Sequence, residues 1–131
     1  MLERACDLDP ASADLRACLA IAQAANFDIS KALASLETAI ALDAGHFFAR
    51  FKYAELFYHL RALPRAEEET RKALELADAN WELFMARRQL QEIRRLIRED
   101  TQTTDVSRPF SPPVMAVVLL ATLVAVVMLW Q

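Results

Sequence analysis

The side chains able to do chemistry in this chain are few and widely spaced. Cys6 and Cys18 stand twelve residues apart, and the two histidines, His46 and His59, are remote from both. A zinc site draws its ligands from closer Cys and His pairs, so no metal is expected and both cysteines read as small fillers on helices. The single glycine excludes a glycine-rich phosphate loop. No nucleophile motif, His-Glu-x-x-His or Cys-x-x-Cys occurs. Glu67-Glu68-Glu69 offers adjacent carboxylates, but a charge run on a helix is expected as a solvated face. A net charge of −3 with no evident basic groove speaks against nucleic acid. No catalytic activity and no cofactor are expected.

The elements that would position these groups are helical. Ala, Leu, Glu and Arg abound, and β-branched residues are sparse before the C-terminal tail. Breaks at residues 26–28, 43–46, 62–64 and 77–80 cut the chain into helices of about 12–15 residues joined by short connections. Displacing the sequence by 34 residues aligns it with itself. Ala5, Ala39 and Ala73 coincide, as do Cys6, Ile40 and Leu74, and Leu8, Leu42 and Leu76. Ala20 meets Ala54, Ala32 meets Ala66, and Leu19 meets Tyr53.

That period, with two helices per unit and alanine where the paired helices touch, resembles the tetratricopeptide repeat family. The resemblance implies an all-α antiparallel helix-pair solenoid over residues 1–98. It comprises a second-helix remnant at 2–8, repeats at 11–44 and 45–78, and a capping helix at 80–98. Leu83, Ala86, Leu90, Ile93 and Ile97 would give that last helix an apolar face. Departures are visible: Arg16 and Arg50 occupy the family's frequent tryptophan position, and Arg87 and Arg88 replace apolar and small residues in the third unit.

The resemblance further implies a concave surface lined by first helices and open to a peptide or a helix. Phe48, Phe51, Lys52, Glu55, Tyr58 and His59 would form its centre. Asp14, Ala17, Cys18 and Ile21 would come from the first repeat, and Glu82, Met85 and Gln89 from the capping helix. The family's clamp for a chaperone's C-terminal carboxylate uses Lys, Asn and Arg, but the matching places hold Ala17, Ile21, Phe51 and Glu55. An apolar or aromatic ligand, such as an amphipathic helix, is expected instead.

All 15 Lys and Arg and all 18 Asp and Glu precede Pro109. From Val114 to Trp130 the only polar residue is Thr122. Residues 110–130 as a helix would span roughly 31 Å, close to the ~30 Å of a bilayer's hydrocarbon core. Residues 112–131 are therefore expected as a membrane helix, with Pro112 and Pro113 at its start and Trp130 at an interface. A polar, proline-rich linker at 99–111 would precede it. The start of the chain has no apolar signal run, so the layout is that of a single-pass tail anchor. Arg94, Arg95, Arg98 and Arg108 then keep the repeats cytosolic, and Arg94, Arg95 and Arg98 would attract anionic lipid. The Arg-rich composition favours a bacterial inner membrane over an organelle outer membrane. The expected role is a membrane-anchored adaptor that recruits a protein partner. The alternative is an accessory structural subunit of a membrane complex, packed against other membrane helices through Ala121 and Ala125.

Overall fold

The computed structural model describes the backbone of residues 1–106 and side chains as far as Thr103. The expected membrane helix at 112–131 lies outside the described residues. Among the described residues no helix is long and apolar enough to cross a membrane. Two compact units divide the chain, Met1–Ile97 and Arg98–Gln131.

Among the described residues six helices follow one another: α1 Leu2–Leu8, α2 Ala13–Ala25, α3 Ile29–Leu42, α4 Phe47–His59, α5 Leu63–Leu76 and α6 Asn80–Val106. Four of them, α2, α4, α5 and α6, begin where the sequence can deal with free backbone N–H groups. Ser12 Oγ accepts from the Leu15 amide at 3.3 Å, and His46 Nδ1 accepts from the Ala49 amide at 3.1 Å. Pro64 occupies the first turn of α5, where its missing N–H costs nothing. Ahead of α6, Glu82 Oε2 accepts from the Asp78 and Ala79 amides at 2.9 and 3.1 Å.

The turns inside both helix pairs are the same turn, one period apart. Phe27 and Arg61 adopt left-handed φ values of 63° and 60°. Asp28 N–H then reaches Gln23 C=O at 2.9 Å, and Ala62 N–H reaches Phe57 C=O at 3.0 Å. This paired closure is usually built on glycine; a side chain there costs about 1 kcal/mol. The turn reverses the chain tightly enough to lay α3 on α2 and α5 on α4.

Packing depends on small residues. Ala20, Ala32, Ala39, Ala54, Ala66 and Ala73 are all 1 % exposed or less. Ala17, Ala20, Ala32, Leu36, Ala39, Ala49, Tyr53 and Leu56 form one cluster joining α2, α3 and α4. Phe47 and Phe51 pack with Ala73 and Ala86 in a second cluster, and Leu63, Ala66 and Ile93 make a third. Through Ala86, Leu90 and Ile93, all buried, α6 joins the core.

Two expectations change. The acidic run is only in part a solvated face: Glu68 is exposed, but Glu69 is 2 % exposed. It lies three residues after Ala66 and four before Ala73, on the buried stripe of α5. Arg50 Nη1 reaches its Oε2 at 3.1 Å, and Lys72 Nζ reaches its Oε1 at 2.9 Å. Arg50, at the place of the family's tryptophan, thus holds the two helices of its repeat together as an ion pair. One period earlier Ser35 replaces Glu69 and donates to Gln23 Oε1 at 2.7 Å; among the described residues the Nε atoms of Arg16 and Arg50 are both buried without a partner. The linker expected from residue 99 is helical as far as Val106. No proline intervenes before Pro109. Thr101 Oγ1 donates to the Arg98 carbonyl and Thr103 Oγ1 to the Glu99 carbonyl, at 2.9 and 3.0 Å, so these threonines cap carbonyls within the helix.

Removing the buried acid should expose the weakness of such a pair. Glu69→Ala leaves Arg50 uncompensated and should cost about 3 kcal/mol in a denaturant titration. The double variant Arg50→Met/Glu69→Leu should recover most of that loss. Equal stability of Glu69→Ala and the wild type would show the pair to be solvated.

Candidate peptide-binding groove

On α4, residues three and four apart face one side: Phe51, Glu55, Tyr58 and His59. On α6 the facing residues are Phe84, Met85, Arg88, Gln89 and Glu92, and the two sets enclose an open cavity of about 430 Å³. A second open cavity of about 540 Å³ lies between α2 and α4. Ile21, Phe27, Ile29, Leu56 and Leu60 give it apolar walls, and Lys52, Glu55 and His59 border it. Glu55 and His59 line both cavities, so the first helices α2, α4 and α6 share one interrupted groove.

The groove displays what a core would normally hide. Ile21, Met85, Leu60, Phe84 and Phe27 are between 39 and 90 % exposed. Neighbouring apolar side chains left in water are a hallmark of an interaction surface. Several of the polar groups on the floor and rim are already matched. Lys52 Nζ meets Glu55 Oε2 at 2.6 Å and lies 5.8 and 5.9 Å from the Phe48 and Phe51 ring centres. Arg95 meets Glu92 at 2.6 Å. Lys52 and Glu92 are thus engaged, whereas Arg88 lines the α4–α6 cavity with no ion pair among the described residues.

Of the residues expected in the groove, Phe51, Glu55, Tyr58 and His59 of its centre and Met85 of the capping helix line the α4–α6 cavity. Lys52 lies at the α2–α4 cavity. Phe51 serves as floor: it is 5 % exposed and stacks on Phe47 at 5.7 Å. Phe48 lies outside both cavities; it packs against the α2–α4 core and lines a shallow hollow with His46, Leu76 and Glu82. Ala17 is fully buried, and Asp14 instead binds His46 Nε2 at 2.7 Å. Since His46 Nδ1 accepts from a backbone amide, Nε2 carries the proton and donates to Asp14. Gln89 lines the α4–α6 cavity and donates to Thr70 Oγ1 at 3.2 Å.

Phe27, Leu60, Phe84 and Arg88 belong to the groove but were not expected there. The signal for Phe27 was the left-handed turn that swings it outward, visible only as the repeated break one period apart. The three arginines expected at a membrane surface are partly engaged elsewhere. Arg94 Nε reaches Glu67 Oε1 at 2.9 Å and ties α6 to α5. Arg95 pairs along its own helix, and Arg98 is exposed. The Arg94 guanidinium, with further help from Arg71, holds the Glu67 carboxyl below the usual glutamate range. Tyr53, by contrast, is pushed above the usual phenol range by burial and by its bond to Glu37 Oε1 at 2.7 Å.

No protein-family model and no curated protein matches the chain. Among solved structures it is similar to the P58(IPK) tetratricopeptide domain, with TM-score 0.69 and 26 % identity. That likeness covers 79 % of this chain and 29 % of the other. It is similar also to the first tetratricopeptide domain of Spaghetti (RPAP3) bound to an HSP90 peptide, SRMEEVD, with TM-score 0.65 and 23 % identity over 74 % of this chain and 75 % of the other. The fold is an all-α, tetratricopeptide-like helical repeat.

The Glu67–Arg94 pair sets a pH dependence with a definite sign. A carboxyl whose folded pKa is depressed contributes stability that is complete above the ordinary value of about 4.3 and is lost as pH falls through the folded value. Denaturant titrations from pH 6 downwards should therefore show stability declining below roughly pH 4.5. Arg94→Gln should lower stability at pH 6 by about 0.5 kcal/mol and flatten that decline. An unchanged acid limb in Arg94→Gln would mean that the pair is not formed in solution.

Proposed function

We propose that the repeat unit is a protein-binding adaptor module whose first-helix groove holds an apolar or amphipathic helical segment of a partner. The observation carrying this reading is the row of exposed apolar side chains, Ile21, Phe27, Leu60, Phe84 and Met85, along two adjoining cavities. Helix-in-groove recognition uses such anchors at three- and four-residue spacing. The RPAP3 domain is bound to a peptide with an acidic end, and the likeness to it supports a peptide-class ligand here. The ligand chemistry differs. At the matching clamp positions Ala17 and Phe51 are buried, Ile21 is apolar and Glu55 is anionic, so these positions offer an acidic C-terminus no cation. Binding, not catalysis, is the role proposed.

The membrane part of the reading rests on sequence. Residues 110–130 carry no charge and as a helix would match a bilayer in length, so residues 112–131 would hold the module on a membrane with its repeats on the cytosolic side.

A mild-detergent pull-down with the full chain, beside a form ending at Asp105, tests both parts. Both forms should retain the same partner, and Ile21→Glu/Met85→Glu should weaken its capture at least tenfold without loss of helicity. A stable set of membrane proteins retained by the full chain alone would instead favour the accessory-subunit role.

A further inference from the structure

We propose that Phe27 sets the specificity of the groove: its ring borders the α2–α4 cavity to hold two large apolar side chains, one helical turn apart, of a partner protein's helix. This assignment rests on the helix-in-groove reading and names the side chains that the helix must carry. Side chain and backbone are mismatched at this position. Phe27 stands at a left-handed φ of 63° between α2 and α3, where glycine is the usual occupant. The closure is local: the Phe27 amide donates to the Ala24 carbonyl at 3.0 Å and the Asp28 amide to the Gln23 carbonyl at 2.9 Å. A Cβ in that conformation is strained whatever the rest of the chain does. The fold recovers little from the side chain. Phe27 is 90 % exposed, and among the described residues its ring meets no other ring and no cation. Strain that serves no packing, at the edge of a cavity, points to a ligand clamp.

The equivalent turn one period later separates what the backbone needs from what the side chain adds. Arg61 has a φ of 60°, and the Ala62 amide closes onto the Phe57 carbonyl at 3.0 Å. The strain is the same, but Arg61 is not among the residues lining the cavity, whereas Phe27 forms its wall with Ile21, Ile29, Leu56 and Leu60. Size and charge select the occupant. The cavity, about 540 Å³, has room for more than one large side chain. Lys52, the only lysine or arginine lining it, is matched by Glu55 at 2.6 Å. A fatty-acid carboxylate or a lipid phosphate therefore meets no free lysine or arginine there. Apolar side chains of a protein helix instead lose water against apolar walls, and a spacing of three or four residues brings two of them to one face.

The probe is a stapled, fluorescein-labelled helical peptide with phenylalanine and leucine four residues apart on one face and glutamine and alanine elsewhere. Its binding is read by anisotropy against the full chain in neutral nanodiscs, with empty discs subtracted. Saturable binding is expected, and it should weaken at least tenfold with Phe27→Gly. Arg61→Gly and Phe27→Tyr should leave it unchanged. Thermal melts by circular dichroism supply the second readout. Phe27→Gly and Arg61→Gly should each raise the melting temperature, by roughly 4 °C, because both relieve the same turn. A stabler protein that binds less well is a result that a purely structural Phe27 could not give. The assignment is overturned, with the groove reading intact, if Ile21→Glu abolishes binding while Phe27→Gly does not. It is overturned also if Arg61→Gly weakens binding equally, or if Phe27→Gly lowers the melting temperature. Absent binding, or binding indifferent to Ile21→Glu, overturns it together with the groove reading.

Discussion

Buried alanines lie on both helices of each pair where the two pack together. Ala20 and Ala32 in the first pair, and Ala54 and Ala66 in the second, are essentially excluded from water. A methyl group lets the helix axes approach to the near end of the usual ~8–10 Å range. That approach turns α3 and α5 to the outside of their pairs and leaves α2, α4 and α6 to form a shared inner surface. Larger residues, Leu36, Tyr53 and Leu56, then fill the space between pairs. The groove, with its exposed Ile21, Phe84 and Met85, follows from the same geometry.

Charge has been built into the second repeat of this scaffold. Arg50 and Glu69 close the second repeat as a nearly dry ion pair, an arrangement that is specific in geometry and seldom more stabilising than a well-packed apolar contact. The same second helix spends Glu67 on Arg94 of α6, so α5 joins its neighbours on both sides through carboxylates. The first repeat has Ser35 in place of Glu69 and closes instead through a neutral bond to Gln23. The two repeats therefore share a backbone pattern but not an electrostatic one.

The helices, their period and the alanine contacts were legible because each depends on spacing within one or two elements. Phe51, Glu55, Tyr58 and His59 could be assigned to one face of α4 for the same reason. Glu69 was misread because composition classed Glu67-Glu68-Glu69 as solvated, although its place between Ala66 and Ala73 put it on the buried stripe. Its partner Arg50 is 19 residues away, beyond any single-helix reading. Phe27 escaped notice because a non-glycine left-handed turn leaves no compositional mark. Residues 99–106 read as a linker when grouped with the polar, proline-rich stretch that follows, yet the first proline there is Pro109 and the hydroxyls of Thr101 and Thr103 turn back onto the helix's own carbonyls.

The central claim, that the inner surface of the first helices receives a protein segment, is tested most directly by photo-crosslinking in intact membranes. A photoreactive benzophenone side chain would replace Ile21 or Gln89 in the groove, or Glu75 on the exposed side of α5. The account predicts that both groove positions crosslink to the same stretch of one partner and that Glu75 does not. Crosslinks from Glu75 alone, or from no position but lipid, would contradict it.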